Sequence, residues 1–517
     1  MGILTLPIEL LDRVLLQVDE LRDIAACSQT CTTLRVLVHG PHAAQLWRNL
    51  YLRELDDPRT TTTDDDDPPP NSKPEPKPEP KSSTSVVAVA PVDWRVKLQR
   101  IHRARAVLQS TKVAPADLDA EERRMTFATL VELTLSAAPV DHTAIHGLRF
   151  SANTYWIDVA LRLKGPDAAA TPSLDLPGAY FLHPLVLDES LPATEAGNAP
   201  DIQAMFKFQS IIGIPAGLTA IDKLAVRRAA RLFVYDEDNY RYLPAAERRD
   251  HASGAMSTSD EFGPFLDGGA VNWRAIFYNI VIVWMCCPTA DALPPHGIEC
   301  WRPALNVPHD LPHDWAGIEG IWLFYTIIPD PNDIFRFNFP STSTSGEKLS
   351  RTPDVFHSSS FEDTMTVVEF VYRLVAPGSD EWHRIGHVPE GGHINGLGGA
   401  TEIPPLAPDE QELPELRFTG RGRVALVLDG RVWRRADGII RWTIWTRTPD
   451  DRLGWLSQGI QLGDMKSEAG VIGQWMTNPM NNGLGPFWAF RTSRLAPHMR
   501  ADPSWLPPED RLGQALA

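Results

Sequence analysis

From about residue 318 the chain breaks into short β-branched or aromatic runs separated by Gly, Pro, Asp and Asn. They read "GIEGIWLFYTII", "DIFRFNF", "TMTVVEFVYRLV", "EWHRIGHV", "ELRFTGRGRVALVL", "IIRWTIWTR", "GWLSQGIQLG" and "GVIGQWMTN". Strands this short and this regularly interrupted predict an antiparallel sheet, closed as a barrel or folded as a sandwich. Trp322, Trp442, Trp445, Trp455, Trp475 and Trp488 fall within or beside these runs. Rings so placed are expected to fill a barrel interior rather than to form a ligand cage.

The other end of the chain has a different period. In "LTLPIELLDRVLLQVDELRDIAACSQTCTTLRVL", Ile8, Leu11, Leu15 and Val18 fall at i, i+3, i+7 and i+10, one stripe of an α-helix. Leu10 and Val14 make a second apolar line, rotated away from the first. Pro7 suits a first helical turn, where its missing N–H has no partner to lose. A short helix in a small three-helix unit needs only one buried stripe. The second line predicts burial against something else, either the rest of the chain or another protein.

Between these ends the composition shifts twice. Residues 42–55 ("HAAQLWRNLYLREL") read as a fourth helix, with Leu46, Trp47, Leu50 and Tyr51 on its apolar side. The stretch 56–90 is then dominated by Pro, charge and Ser/Thr, with little to bury, and reads as a disordered linker. Helical patterns return at 91–109, 117–137 and 219–233. Residues 272–284 fit a helix or a strand. The predicted class is α+β, in five parts: helices over 1–55, the linker over 56–90, a helical and mixed region over 91–313, an antiparallel β-barrel over 314–495, and a tail over 496–517.

Bulk properties exclude several functions. A formal charge of −17 argues against a broad nucleic-acid footprint and against adhesion to anionic membranes. The most apolar run, "AIFYNIVIVWMCC" (275–287), would span about 20 Å as a helix, too little for a bilayer core. Five cysteines without a disulfide-scaffold spacing fit a reducing compartment. With no secretory leader recognisable before residue 18, the expected location is cytoplasmic, nuclear or both.

Candidate chemistry is sparse. Cys287, Cys300, His309 and His313 carry zinc-compatible donor types, and His309-x-x-x-His313 has a usable gap. No Cys-x-x-Cys accompanies them, so no metal is assigned, and whether these four hold zinc stays open. "GGHINGLGGA" (391–400) is not followed by the Lys-Ser/Thr of a phosphate loop. No nucleophile elbow, zincin or dinucleotide motif occurs, so neither catalysis nor a cofactor is expected. Arg421 and Arg423 lie two apart, on one face if the segment is a strand, where such arginines either grip an acidic or C-terminal peptide group or line a solvated face.

Residues 5–39 resemble an F-box. The family pattern of Leu-Pro start, Glu, paired aliphatics, Asp-Leu-like step, Cys and closing apolar helix is occupied by Leu6-Pro7, Glu9, Leu11, Val14-Leu15, Asp23-Ile24, Cys31 and Leu34. Thr32 departs from it, standing where a basic residue commonly follows the Cys. F-boxes dock on the Skp adaptor, which joins them to a cullin scaffold. The resemblance therefore implies Leu6, Pro7, Ile8, Leu11, Leu15 and Leu34 as adaptor contacts. The order F-box, acidic Pro-rich insertion, helical middle and Trp-rich β region is similar to a large group of fungal F-box proteins. Residues 314–339 look like the opening barrel strands of that group. More distantly, the Ile-Glu-Gly-Ile-Trp opening resembles F-box proteins whose barrel binds cyclin D. The implied function is the substrate-recognition subunit of an SCF-type ubiquitin ligase, non-catalytic, with the barrel holding an unidentified protein. The alternative is a barrel that binds a small molecule or lipid, with purely structural N-terminal helices.

Overall fold

A computed structural model describes residues 6–41, 43–58, 92–108, 118–139, 151–161, 199–214, 220–236, 239, 263–266, 269–287, 294–302, 313–338, 355–356, 361, 363–385, 413–422, 426–447, 453–463, 465, 467, 469–477 and 484–492. The predicted linker beyond Pro58, the Gly-rich 391–400 stretch and the tail lie outside the described residues.

The β runs close completely. Strands β1 (Gly320–Pro329), β2 (Asp363–Leu374), β3 (Leu416–Gly422), β4 (Val427–Arg434), β5 (Ile440–Arg447), β6 (Leu453–Gln461), β7 (Val471–Thr477) and β8 (Leu484–Thr492) pair in chain order. Every pairing is antiparallel, and β8 returns to β1 with Tyr325 opposite Trp488. Closure leaves no edge to pair with another chain. The β4–β5 turn runs through Asp437-Gly438, where Gly438 takes φ 79° and donates its N–H to Arg435 O at 2.9 Å.

Alternation along each strand separates two cores. On β1, Trp322 and Phe324 point inward while Leu323, Tyr325 and Ile327 pack outward on helices. The interior is a stack of rings: Trp322 lies 5.4 Å from Tyr372 and 5.3 Å from Trp442, and Phe418 lies 4.9 Å from Tyr372. Glycines make room for them. A Cβ on Gly430 would sit 2.3 Å from the Phe418 ring, and one on Gly420 would sit 2.5 Å from Tyr372. The barrel therefore works as a packed core, with large rings set against bare backbone. Trp322, Trp442 and Trp475 fill it, whereas Trp488 faces out among the helices and Trp445 packs outside on Val375 and Ile385.

Two predicted strands are helices. Residues Pro331–Asn338 and Asp380–Arg384, which take in the described parts of "DIFRFNF" and most of those of "EWHRIGHV", leave the sheet. Asp330 Oδ1 accepts the N–H of Asn332 at 2.7 Å, and Pro331 occupies the first turn. Ile334, Phe337 and Asn338 then bury one helical side. Ser379 likewise caps the shorter helix through Trp382 N. In both places cap chemistry prevails over β-branched and aromatic composition.

The helical part precedes the barrel. In chain order come α1 (Ile8–Leu15), α2 (Leu21–Thr30), α3 (Thr32–His39), α4 (Ala43–Glu54), α5 (Trp94–Leu108), α6 (Ala120–Leu135), α7 (Ala152–Leu161), α8 (Pro200–Ile212), α9 (Ala220–Val234) and α10 (Trp273–Cys286). The ambiguous 272–284 run is α10. Residues Trp273–Val283 are buried all round, as expected of a helix lodged between the other helices and the outer wall of β7, β8, β1 and β2. Asn279 donates to Gly473 O at 3.1 Å, satisfying α10's buried amide on the barrel backbone.

One apolar cluster runs unbroken from Leu11 through α4, α5, α6, α8 and α10 to Phe490 on β8. Polar pins reinforce it. Asp56, just past α4, accepts from Ala138 N (2.8 Å), Ser151 Oγ (2.5 Å) and Ala152 N (3.0 Å). Ala138 O in turn accepts from Arg302 Nη2 at 2.7 Å, and Ser467 Oγ donates to Cys300 O at 2.9 Å. The N-terminal helices are thereby held in a fixed orientation to the barrel.

A buried carboxylate makes the other pin. Asp363, at the start of β2, takes Arg231 Nη2 at 2.7 Å, Arg227 Nη2 at 2.9 Å and the Tyr235 hydroxyl at 2.7 Å. Burial, with Asp363 close by, pushes the Cys286 thiol up to about 12, and burial pushes Cys287 up to about 11. An unfolded thiol ionises near pH ~8.5, so the unfolded chain releases its protons first. Their contribution to stability is complete below that pH and is lost as pH rises toward 12. We expect melting temperature to fall steadily from pH 9 to 11, each thiol contributing at most about 1.4 kcal/mol per pH unit. Cys286→Ser should flatten this slope; an unchanged slope would count against the burial account.

Candidate partner-docking face

Helix α1 divides its apolar residues between two directions. At 100° per residue, Leu11 and Leu15 form one line and Leu10 and Val14 another, about 100° away. The first line is 2% exposed at both positions, packed in the common core with Ile24, Leu37 and Leu46. The second is open, with Leu10 and Val14 both 41% exposed. Ile8 (47%) and Leu6 (38%) continue the open surface across the first turn, Pro7 is exposed between them, and Val36 on α3 is also exposed.

Local chemistry sets this presentation. Pro7 O accepts the N–H of Leu10 at 3.0 Å and of Leu11 at 3.1 Å, starting the helix immediately after the proline. Glu9 in the first turn and Arg13 in the last both complement the helix dipole. From α4, the Arg53 guanidinium donates to Leu16 O and to Val18 O (3.1 Å), tying down the carbonyls beyond α1. Trp47 Nε1 bonds Val38 O at 2.9 Å and fixes the end of α3. Partial burial and the nearby Glu9 carboxylate raise the Asp12 pKa above the usual carboxylate value.

The expected adaptor contacts thus divide. Leu6, Pro7 and Ile8 are on the surface; Leu34 is half-buried against the core. Leu11 and Leu15 are buried, each 2% exposed within the chain's own core. Leu10, Val14 and Val36 are further exposed apolar residues of α1 and α3. For the first two the signal was present, as the second helical line.

Of the arginine pair, Arg421 alone is among the described residues. Arg421 is exposed on the outer wall of β3, opposite Val371 and Val427, and Arg423 lies outside the described residues. Nearby cations are already engaged. Arg384 and Arg447 both hold Asp429, at 2.7 and 2.8 Å, and Arg417 binds Glu415 together with the carbonyls of Trp382 and Ile385.

Of the zinc-compatible set, Cys287, Cys300 and His313 are among the described residues. Cys287 Sγ contacts Val283 O at 3.3 Å, Cys300 Sγ contacts His296 O at 3.3 Å, and His309 lies outside the described residues. Among the described residues, no three His, Cys, Asp or Glu side chains form a metal-binding group. No helix among them is long and apolar enough to cross a membrane.

No curated protein and no solved structure matches the chain. A family model does match residues 3–53, the stretch that runs from before α1 almost to the end of α4 and carries the open apolar face. With a buried stripe that folds the helices and a second stripe left uncovered, residues 3–53 are an F-box-like domain.

Proposed function

We propose that this protein is the substrate-recognition subunit of an SCF-type ubiquitin ligase. The F-box-like domain docks the Skp adaptor through Leu6, Pro7, Ile8, Leu10 and Val14, and the adaptor joins it to a cullin scaffold. The observation that carries this reading is the uncovered apolar line of α1 in a segment that matches a family of adaptor-binding domains. The part beyond α4 presents a protein substrate. The order of F-box, Pro-rich insertion, helical middle and Trp-rich β region, which resembles that of fungal F-box proteins, supports that role.

The chain supplies position rather than bond-making chemistry. Holding a target near a charged ubiquitin carrier raises its local concentration and fixes its approach. Such a role calls for a stiff connection between adaptor and substrate. The continuous core and the Asp56–Ala138–Arg302 pins are suited to it. A barrel packed with its own rings favours presentation by an outer surface over a ligand held inside. The test is reconstitution of the full chain with purified Skp and cullin. A stoichiometric complex is expected by size-exclusion chromatography, and its absence at micromolar concentrations overturns the assignment.

A further inference from the structure

The ring-packed interior of the barrel contains four buried polar atoms with no hydrogen-bond partner among the described residues. They are the Tyr372 hydroxyl, Thr446 Oγ1, Ser457 Oγ and the Trp455 indole N–H. Strand pairing sets them side by side. Tyr372 is opposite Gly420, Gly420 opposite Leu428, Leu428 opposite Thr446, and Thr446 opposite Trp455, one row running from β2 to β6. The Tyr372 ring lies over Gly420, where an added Cβ would meet it at 2.5 Å, so its hydroxyl extends along that row toward β4. Ser457, opposite Ile444 and Trp475, is the next inward position on β6 after Trp455. Thr446 and Ser457 are fully buried and Tyr372 is 2% exposed. Other inward indoles are satisfied within the chain: Trp322 donates to Ile318 O at 2.7 Å, Trp442 to Gln461 Oε1 at 3.1 Å, and Trp475 to Ile327 O at 3.0 Å.

We infer that water is bound inside the barrel along this row, bridging Thr446, Ser457, Trp455 and the Tyr372 hydroxyl. Buried polar groups of folded proteins are paired as a rule, and where the chain supplies no partner an internal water does. Spacing favours a bridge. Opposite residues on paired strands hold their Cβ atoms about 5 Å apart and diagonal ones about 7–8 Å. A molecule making one bond of about 2.8 Å to each of two such groups spans the shorter distance. The chemistry selects the occupant. Three hydroxyls each donate and accept while the indole only donates, so the guest must accept at least one bond and is free to donate others. All four groups are neutral, and burial raises the Tyr372 phenol above its ordinary value, keeping it so. Nothing in the row therefore offsets the desolvation of an ion. Trp322 and Phe418, packed 5.4 and 4.9 Å from the Tyr372 ring, restrict the guest to a molecule of few atoms. The site shares no residue with the α1 face and is independent of adaptor docking.

Two measurements on the full chain test it. Thr446→Val and Ser457→Ala remove the hydroxyls with little change of shape, and urea denaturation reads the result. A hydroxyl held by water stabilises the fold, so each variant should lower the folded-to-unfolded ratio about fivefold. An unpartnered hydroxyl predicts the opposite sign, because an apolar isostere relieves it. Parental or raised midpoints in both variants overturn the proposal. If the two side chains share one guest, the double variant loses less than the product of the single losses; multiplicative losses overturn the bridge. In a crystal of the full chain, solvent density is expected within about 3.2 Å of both Thr446 Oγ1 and Ser457 Oγ. Well-ordered side chains with no such density overturn the proposal. An anomalous peak there after a bromide soak would make the guest an anion and overturn the assignment to water.

Discussion

The chain carrying Leu10→Asp and Val14→Asp is expected to lose Skp binding about 1,000-fold while keeping its melting temperature. Both side chains are 41% exposed and belong to no core cluster, so a carboxylate at either position stays hydrated in the free protein. In the complex it would be buried against an apolar partner. Hot-spot residues are each worth about 2 kcal/mol, and two together reach about three decades in affinity. Leu11→Asp, one residue along, should behave differently. That side chain is 2% exposed in the common core, and a charge there has no solvent. It should unfold the F-box-like domain and lose binding only as a consequence. Titration against purified Skp, with circular dichroism on the same samples, separates the two cases. A double variant binding within threefold of the parent would sink the docking face. Loss of binding accompanied by loss of helicity in that variant would mean that Leu10 and Val14 support the fold instead.

The other large effect is expected at Asp363. Its side chain is fully buried and holds Arg231, Arg227 and the Tyr235 hydroxyl at once. Asp363→Ala leaves the Arg231 guanidinium, itself 8% exposed, without its counter-charge. Breaking a buried pair from one side costs about 3–5 kcal/mol, far more than the intact pair contributes over a well-packed apolar replacement. The variant should therefore show a markedly lower denaturant midpoint. Asp363→Leu combined with Arg231→Met should recover much of the loss, since it removes both buried charges. Arg227, about one-third exposed, can turn its head to water in that double variant. If Asp363→Ala unfolds at the parental midpoint, the network adds nothing to the docking of α9 on β2.

Other parts of the molecule give local reasons for what was and was not readable. The strand runs carry their own punctuation: Asp437-Gly438 turns β4 into β5, and alternating apolar residues mark the two faces of β1. The helices of 331–338 and 380–384 read as strands in sequence because aromatic and β-branched content masks Asp330, Pro331 and Ser379, whose caps act over only a few residues. The polar row inside the barrel has no sequence signature, since Tyr372, Thr446 and Trp455 come together only when separate strands pair.

Sequence alone determined the α+β division, the β content of the C-terminal part and the existence of two apolar lines on α1, because period and turn chemistry are local properties of neighbouring residues. Only the tertiary structure decided that the barrel closes, that its rings fill it, and that Leu11 and Leu15 face inward while Leu10 and Val14 stay open. A helix with two apolar lines can bury either one. Which line turns inward depends on what the rest of the chain brings against it, and that choice is settled by packing at a distance.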